Sequence, residues 1–492
     1  MEIYENLVIG SGEAGKYLAW TLAREGQRTA VVERDKVGGS CPNIACLPSK
    51  NVIHSAKVAA FLRRGEEFGL RACSPGIEMK SVLRRKQRMV DRLAAQHLSR
   101  FDTSGAELIM GEAQLIGPRV VQVHLKQGGF RTIAADRVFL NLGTRASIPN
   151  VPGLSAARPM THIEALDLNC VPDHLIVLGG GYVGLELAQA MRRFGARVTV
   201  VERGERLVSD EDTDVSAALL ELCRDEGIDV VLEANLLRVN GQSGSNVQVI
   251  VECPDRCLFL DGSHTLVAAG RSPNTHSIGL DKAGVELDTR GYIAVDDRLR
   301  TTAEHVWAMG DCAGSPQFTH AAFDDYRIVH NNLKGGNRTT INRLVPHCMF
   351  TDPELVRIGL NESDARRLNV SYRLATLPFD QVMRTRTLSE PRGFMKMLID
   401  TQSDRILGFT AFGAEASELL AAVQTAMLGG MPYTAIRDAI FTHPTIAEGL
   451  VFLLSEVKEA GSTYSRPSHS INSDDLYKGI LNHVEPASAN TM

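Results

Sequence analysis

The feature that most constrains the fold of this chain is a glycine-rich unit that occurs twice in its sequence. Each copy contains an apolar run, a Gly-x-Gly-x-x-Gly turn, a helical stretch and a second apolar run that ends on an acidic residue. We therefore predict two βαβ units. The marked positions lie 169 residues apart: Gly10, Gly12, Gly15 and Glu33 in the first copy correspond to Gly179, Gly181, Gly184 and Glu202 in the second.

The residue types in each unit are those that bind a dinucleotide. Glycines permit a tight turn and a close approach of the backbone to a pyrophosphate, and the helix N-terminus offers unpaired N–H groups to it. The acid at the end of the second strand accepts hydrogen bonds from ribose hydroxyls. One such match is weak evidence, but two in identical register favour an electron relay between a held and an exchangeable cofactor.

The acid of the second unit bears on which nicotinamide cofactor is used. A carboxylate such as Glu202 favours the free 2′-hydroxyl of NAD, whereas basic residues usually receive the 2′-phosphate of NADP. Arg203 follows immediately and could bind that phosphate. We therefore favour NAD(H) and keep NADP(H) as the alternative.

A pair of cysteines, Cys41 and Cys46, follows the first unit directly. This position places both thiols near the first dinucleotide and at the start of a helical stretch predicted over 51–63, where the helix dipole favours a thiolate. A reducible disulfide across this short loop would be catalytic rather than structural. The surrounding block reads Gly38-Gly39-Ser40-Cys41-Pro42-Asn43-Ile44-Ala45-Cys46-Leu47-Pro48-Ser49-Lys50.

A zinc site is the competing interpretation of these cysteines. Its ligands would be Cys41, Cys46, His54 and Cys73, but the first two are at the limit of the usual knuckle spacing and no second close pair follows. The remaining cysteines are expected to be structural, including the spaced pair formed by Cys253 and Cys257.

Composition and charge exclude several classes of function. The 492 residues carry 53 Lys and Arg against 58 Asp and Glu, and this slightly acidic balance argues against a nucleic-acid-binding protein. The longest apolar candidate, 175–191, contains glycines and Glu186 and is shorter than the roughly 20 residues of a membrane span. The N-terminus has no basic segment typical of a signal peptide. We expect a cytoplasmic protein that binds neither nucleic acid nor membrane.

Seven motifs in order make the sequence up to about residue 455 resemble the class I pyridine nucleotide-disulfide oxidoreductases, which include dihydrolipoamide dehydrogenase, glutathione reductase and mercuric reductase. The stretch from Phe318 to Ile328 is most similar to a mercuric-reductase-like branch that includes the reactive-chlorine-response oxidoreductases. Besides the two glycine turns and the cysteine block, the motifs are Ala269-Gly270-Arg271-x-Pro273-Asn274-Thr275, Gly310-Asp311, Thr351-Asp352-Pro353-Glu354 and His443-Pro444-Thr445-x-x-Glu448.

This resemblance implies an α/β fold with two Rossmann-like dinucleotide-binding domains and a C-terminal α+β dimerisation domain. The expected ranges are 1–150 for the FAD-binding domain, 151–275 for the NAD-binding domain, 276–342 for a central domain that completes the FAD site, 343–455 for the dimerisation domain and 456–492 for a flexible extension. Apolar strands that end in glycine and are followed by proline mark the first two boundaries.

The resemblance also implies where the two cofactors bind. FAD would place its ADP on the first unit and Glu33, with its ribityl and pyrophosphate region near Asp311. NADH would dock on the second unit and pass hydride to the flavin, with Tyr182 acting as a lid. Gly143, Gly270 and Arg271 belong to the same cofactor-binding motifs.

The catalytic residues follow from the same resemblance. Cys46 would face the flavin and Cys41 would exchange with the substrate. Two further pairs are expected: Lys50 with Glu186 beside the flavin, and His443 as the acid/base residue oriented by Glu448. Because the family's histidine reaches the cysteines of the other subunit, a homodimer is implied.

The substrate stays open between a disulfide, a metal ion and another small oxidant. The alternatives are a dihydrolipoamide dehydrogenase subunit of a multienzyme complex, a mercuric-reductase-like metal reductase and a non-catalytic flavin- or metal-binding protein. No cysteine follows Cys348, whereas mercuric reductases use C-terminal cysteines, which counts against mercury reduction.

Three residues depart from the family pattern. Pro42 and Ala45 replace the usual Val and Gly of the cysteine loop. Asn141 replaces a common Ala, and we interpret this replacement as a packing difference.

Overall fold

The computed structural model describes residues 1–71 and 76–457. Cys73, the fourth ligand of the alternative zinc site, lies outside the described residues, as does the expected flexible extension beyond residue 457. The described strands are β1 (Glu2–Ile9), β2 (Thr29–Glu33), β3 (Glu107–Gly117), β4 (Val120–Leu125), β5 (Phe130–Leu140), β6 (Thr144–Ala146), β7 (His174–Leu178), β8 (Arg197–Val201), β9 (Asp229–Val231), β10 (Asn235–Gly241), β11 (Val247–Glu252), β12 (Cys257–Gly262), β13 (His264–Val267), β14 (Arg271–Pro273), β15 (Val306–Ala308), β16 (His347–Met349), β17 (Glu354–Gly359), β18 (Tyr372–Pro378), β19 (Phe394–Asp400) and β20 (Ile406–Gly413).

The helices lie mainly between these strands or after them. Among the described residues, no helix combines the length and apolar character needed to cross a membrane. The described α-helices are α1 (Glu13–Arg24), α2 (Ser40–Asn43), α3 (Cys46–Arg63), α4 (Met79–Ser104), α5 (His162–Ala165), α6 (Tyr182–Phe194), α7 (Thr213–Asp225), α8 (Thr319–Leu333), α9 (Glu362–Arg367), α10 (Met383–Thr387), α11 (Ala416–Leu428), α12 (Tyr433–Arg437) and α13 (Gly449–Ser455).

The first sheet is organised around β1, which lies between β2 and β5 and is parallel to both. Strand β3 continues the sheet beyond β2, and β4 joins β3 to β5 by antiparallel pairing. Strand β15 pairs in parallel with β5. The stretch expected as a central domain therefore contributes a strand to the first sheet. All residues of β2 are buried, as is usual for a strand of a parallel sheet that is covered on both faces.

The second glycine-rich unit repeats the geometry of the first. Helix α6 begins 169 residues after α1, and β7 lies between β13 and β8 in a parallel sheet. Gly10 and Gly179 have φ angles of +97° and +116°, which side chains with a Cβ rarely adopt. A Cβ at Gly15 would lie 2.3 Å from the carbonyl oxygen of Gly10, and one at Gly184 would lie 2.1 Å from that of Gly179. The prediction of two βαβ units is confirmed.

The C-terminal region forms a separate antiparallel sheet with the strand order β16-β17-β20-β19-β18. All residues of β20, its central strand, are buried. Side chains of α11, α12 and α13 join those of the sheet in one apolar cluster. Together with the two parallel units, this arrangement confirms the predicted α/β fold with a C-terminal α+β domain.

Two buried cations attach this C-terminal sheet to the second glycine-rich unit. Lys396 on β19 is fully buried, and its Nζ lies 2.7 Å from Asp212 and 2.8 Å from Asp214. Burial alone would lower the pKa of Lys396, but the hydrogen bonds to both aspartates raise it, so the ammonium stays charged. Arg357 on β17 pairs in the same way with the buried Glu211 at 3.1 Å.

Replacing Lys396 tests how strongly this contact stabilises the protein. Lys396→Met leaves the buried Asp212 without its counter-ion, and an uncompensated buried charge costs about 3–5 kcal/mol. We expect a clear fall in the thermal unfolding temperature measured by circular dichroism. The control is Lys334→Met, because Lys334 is 55% exposed and its ion pair with Glu25 is worth at most about 1 kcal/mol. Equal unfolding temperatures for both variants would contradict this assignment.

Candidate active site

The predicted cysteine pair lies where the short helix α2 meets the 18-residue helix α3. Cys41 is in α2, and Cys46 is the first residue of α3. The helix predicted over 51–63 therefore begins five residues earlier than expected. Pro48 does not prevent this earlier start, because the N–H groups of a first helical turn have no intrahelical partner to lose. Cys46 is thus placed directly at a helix N-terminus.

The surroundings of the two cysteines make them chemically unequal. Both are free thiols in this structure. The hydrogen bond between them, burial and the negative charge on Cys46 raise the pKa of Cys41. The same hydrogen bond lowers the pKa of Cys46; burial opposes this shift, and the Thr319 hydroxyl and the Lys50 ammonium add to it. Cys46 is therefore the thiolate of the pair, and Cys41 carries the proton.

Thr319 is a site residue that the sequence analysis did not identify. Its Oγ1 lies 3.3 Å from the Sγ of Cys46, and it is the first residue of α8. Cys46 thus contacts the N-terminal residue of a second helix, whose dipole also favours a negative charge. Thr319 lies in the stretch that resembles the mercuric-reductase-like branch, but its distance of 273 residues from Cys46 gave no local signal of the contact.

The two residues that depart from the usual cysteine loop fit the observed backbone. Ala45 has a φ of −131°, which is outside the left-handed region that favours glycine. Pro42 is buried within α2. Neither position requires the residue that is more common in the family.

Lys50 and Glu186 come together as predicted. The Nζ of Lys50 lies 2.8 Å and 3.2 Å from the two carboxylate oxygens of Glu186, whose side chain is 7% exposed. The backbone N–H of Phe350 donates to the same carboxylate at 2.8 Å, and the Phe350 ring lies 4.6 Å from the ammonium. Because the buried carboxylate has both a counter-ion and an N–H donor, the pair is fully satisfied.

His443 and Glu448 also form the predicted pair, but at the surface. The Nδ1 of His443 lies 2.9 Å from a carboxylate oxygen of Glu448, and the histidine side chain is 66% exposed. Within the described part of the single chain, His443 makes no hydrogen bond to Cys41 or Cys46. Glu448 fixes the orientation of the ring, so that Nε2 is the nitrogen left for proton exchange.

Glu33 and Glu202 are held by equivalent hydrogen bonds in the two units. One carboxylate oxygen of Glu33 accepts the N–H of Ser11 at 3.0 Å, and the other accepts the N–H of Asp35 at 2.8 Å. The corresponding donors to Glu202 are the N–H groups of Gly180 and Gly204, at 2.7 and 2.8 Å. Both acids therefore lie beside their glycine turns, where a ribose would follow a pyrophosphate bound at the helix N-terminus.

Asp311 and Arg271 meet at Thr144, which follows Gly143. The hydroxyl of Thr144 donates to Asp311 at 2.6 Å and accepts from Arg271 at 2.7 Å. Gly270 has a φ of +101° and allows the chain to turn into β14, which pairs with β6. Thr144 was missed in the sequence, although its position directly after a strand-ending glycine was a signal.

Tyr182 begins α6, directly after Gly181 in the second glycine turn. Its hydroxyl donates to Glu211 at 3.2 Å, and burial raises its pKa well above the usual range. Since Glu211 also pairs with Arg357, the tyrosine is connected to the C-terminal sheet. Its action as a lid stays a prediction.

The structure contains no metal-binding cluster of three or more His, Cys, Asp or Glu side chains within 1–71 and 76–457. The second cysteine pair is not a candidate disulfide either. Glu252 lies opposite Cys257 in the hairpin, so Cys253 and Cys257 point to opposite faces of the sheet. Cys253 packs against a buried apolar cluster, whereas Cys257 is exposed.

The chain is similar to known proteins over most of its length. Residues 4–325 match the family model described as pyridine nucleotide-disulphide oxidoreductase, and residues 345–453 match its dimerisation domain. A probable pyridine nucleotide-disulfide oxidoreductase, RclA of Escherichia coli (strain K12), is 36% identical over 93% of this chain and its own full length.

One further relative and one solved structure widen the comparison. The mercuric reductase of Shigella flexneri is 34% identical and covers 90% of this chain and 79% of its own length. The solved structure of the Cu(II) complex of the HOCl-induced flavoprotein disulfide reductase RclA from Escherichia coli has a TM-score of 0.84. It is 34% identical and covers 93% of this chain and all of its own. On these matches and its own site geometry, the chain belongs to the pyridine nucleotide-disulphide oxidoreductase family.

Proposed function

We propose that this protein is an FAD-dependent, NADH-linked oxidoreductase that passes electrons through Cys41 and Cys46 to a small oxidant. The observation that carries the proposal is the unequal thiol pair. Cys46 is held as a thiolate at the N-terminus of α3, beside Thr319 and Lys50, while the pKa of Cys41 is raised. Two cysteines with a purely structural role would not require such different thiol pKa values.

The residues of the first unit fit FAD. The three glycines of the turn leave no room for a Cβ: one at Gly10, Gly12 or Gly15 would lie 2.2, 2.6 or 2.3 Å from a neighbouring oxygen atom. This close packing keeps the backbone free to approach a pyrophosphate, with Glu33 placed for a ribose and Asp311 for the ribityl region. When bound, FAD would accept hydride from NADH and supply two electrons to the cysteine pair.

Side chains of the protein then stabilise the thiolate charge and transfer the thiol proton. Reduction of a Cys41–Cys46 disulfide takes up two electrons and one proton and leaves a Cys46 thiolate and a Cys41 thiol. Lys50 stabilises the thiolate, and its ion pair with Glu186 keeps the ammonium in place. We assign His443, oriented by Glu448, as the base that removes the Cys41 proton when the disulfide forms again.

The oxidant is a disulfide, a metal ion or another small acceptor. Cu(II) is the first ion to test, because a Cu(II) complex is described for the E. coli RclA structure. Re-forming the disulfide releases two electrons, which would reduce two Cu(II) ions to Cu(I). Rates with Cu(II), Hg(II), lipoamide, glutathione disulfide and quinones would rank the acceptors.

A homodimer belongs to the same proposal. Its supports are the match of 345–453 to a dimerisation domain and the exposure of His443, which makes no hydrogen bond to either cysteine within the described part of its own chain. The cytoplasmic location stays a prediction.

Anaerobic titration with NADH tests the redox role of the cysteines. The wild-type protein should take up two electron pairs per bound flavin, and Cys41→Ser and Cys46→Ser should each take up one. Cys41→Ser should keep a long-wavelength charge-transfer band from the Cys46 thiolate, whereas Cys46→Ser should lack it. Identical uptake in all three proteins would exclude the disulfide mechanism.

Thr319→Val tests the origin of the thiolate. Without this hydroxyl the pKa of Cys46 rises, so less thiolate is present at neutral pH. We expect alkylation of reduced Cys46 by iodoacetamide at pH 7 to slow by about 2- to 10-fold, the effect of one hydrogen bond. The pH profile, followed by mass spectrometry of the Cys46 peptide, should move to higher pH. Thr319→Ser keeps the hydroxyl and should match the wild type; an unmoved profile in Thr319→Val would contradict the assignment.

Glu202→Ala tests the preference for NADH. Loss of a carboxylate that binds ribose hydroxyls should lower kcat/KM for NADH by about 10- to 100-fold, as expected for hydrogen bonds to a charged group. The value for NADPH should not fall in parallel. Glu205→Ala is the matched control, because Glu205 is an exposed acid close to the same turn. A wild-type protein that uses NADPH better than NADH would overturn this assignment.

A further inference from the structure

Asn141, which we interpreted from the sequence as a packing difference, connects two of the motifs expected to bind FAD. It follows the last residue of β5 and is 8% exposed. Its side-chain oxygen accepts the N–H of Gly15 at 3.0 Å, and its side-chain nitrogen donates to the carbonyl of Met309 at 2.9 Å. Its backbone N–H donates to Ile9 at 2.8 Å. The packing interpretation was wrong, because both ends of the amide are hydrogen-bonded.

The amide also occupies the space beside the first glycine turn. A Cβ at Gly12 would lie 2.6 Å from the side-chain oxygen of Asn141, and one at Gly10 would lie 2.2 Å from its backbone oxygen. A Cβ at Gly310 would lie 3.0 Å from the side-chain nitrogen. The glycines on both sides therefore bring two backbone turns against a single planar side chain.

The turn that follows Met309 is also held by contacts that do not involve Asn141. The N–H of Gly310, the next residue, donates at 2.7 Å to Asp325, which is fully buried. Asp325 also accepts from Ser315 at 2.7 Å and pairs with Arg343 at 2.5 Å. These contacts hold the turn that carries Asp311 in place. The hydrogen bonds of Asn141 can therefore set the position of the glycine turn relative to it.

We propose that Asn141 is a positioning residue for FAD: it sets the spacing between the Gly10–Gly15 turn and Asp311. The inference rests on the proposed function, because it assumes that FAD binds both motifs. An amide suits this role, since it can accept an N–H at one end and donate to a carbonyl at the other. The alanine common at this position in the family can do neither. Asn141 thus aligns the two turns by hydrogen bonds, whereas an alanine could align them only by packing.

FAD binding to the flavin-free protein tests this role. Apoprotein prepared from the wild type and from Asn141→Ala is titrated with FAD, and the dissociation constant is obtained from the change in flavin fluorescence. Loss of two hydrogen bonds should raise the dissociation constant by about 10- to 100-fold. The increase in unfolding temperature that FAD gives should shrink in the variant, because ligand stabilisation depends on affinity.

Two further variants separate positioning from general packing. Asn141→Leu keeps most of the side-chain volume but neither hydrogen bond, so it should lose affinity as Asn141→Ala does. Asn6→Ala removes a fully buried asparagine of β1, whose side-chain nitrogen donates to Gln27 and Thr29. It should lower the unfolding temperature of the apoprotein and leave the affinity for FAD within about twofold of the wild type.

The outcomes are distinct. Weaker FAD binding in both Asn141 variants, with normal binding in Asn6→Ala, supports the inference. Wild-type affinity in Asn141→Leu, or an equal loss in Asn6→Ala, overturns it and leaves the proposed function intact. A wild-type apoprotein that takes up no FAD overturns the proposed function itself, and the inference with it.

Discussion

The ion pair between Lys50 and Glu186 is the interaction on which the arrangement of the site depends. Lys50 lies on α3, four residues after Cys46, and Glu186 lies on α6, which begins at the second glycine turn. The backbone of Phe350, just before the C-terminal sheet resumes at β17, donates to the same carboxylate. One ion pair on a buried carboxylate therefore brings together the thiols, the second nucleotide unit and the C-terminal domain. A hydrophobic contact could join these elements, but it would not supply the Lys50 ammonium, which lowers the pKa of Cys46 against the opposing effect of the Glu186 carboxylate.

Buried ion pairs also connect the C-terminal sheet to the second glycine-rich unit. Lys396 and Arg357 carry their charges into an interface with Asp212 and Glu211. Buried pairs of this kind stabilise less than apolar packing of equal volume, but they tolerate only one geometry. That specificity has a use here, because Glu211 also accepts the hydroxyl of Tyr182 beside the second glycine turn. The position of the tyrosine is thereby linked to the docking of another domain.

Local patterns in the sequence were sufficient to predict the two βαβ units, whereas the ion pair of Lys50 with Glu186 was expected only from the resemblance to the family. Glycine turns constrain the backbone within a few residues, and their repetition is visible without a structure. Contacts between distant segments were not visible. Thr319 reaches Cys46 across 273 residues, and Asn141 bridges motifs that are 126 and 168 residues away. The early start of α3 was missed because Pro48 is a helix breaker everywhere except in the first turn.

The different pKa values of the two thiols also give a chemical reason for dimerisation. A thiol whose pKa is raised, as that of Cys41 is, reacts with an oxidant only when a base removes its proton. His443 has the orientation of such a base, yet within the described residues it makes no hydrogen bond to Cys41 of its own chain. The exposure of His443 and the match of 345–453 to a dimerisation domain favour an imidazole that another copy of the chain supplies. Dimerisation would then speed turnover, because it would bring a base to the Cys41 thiol.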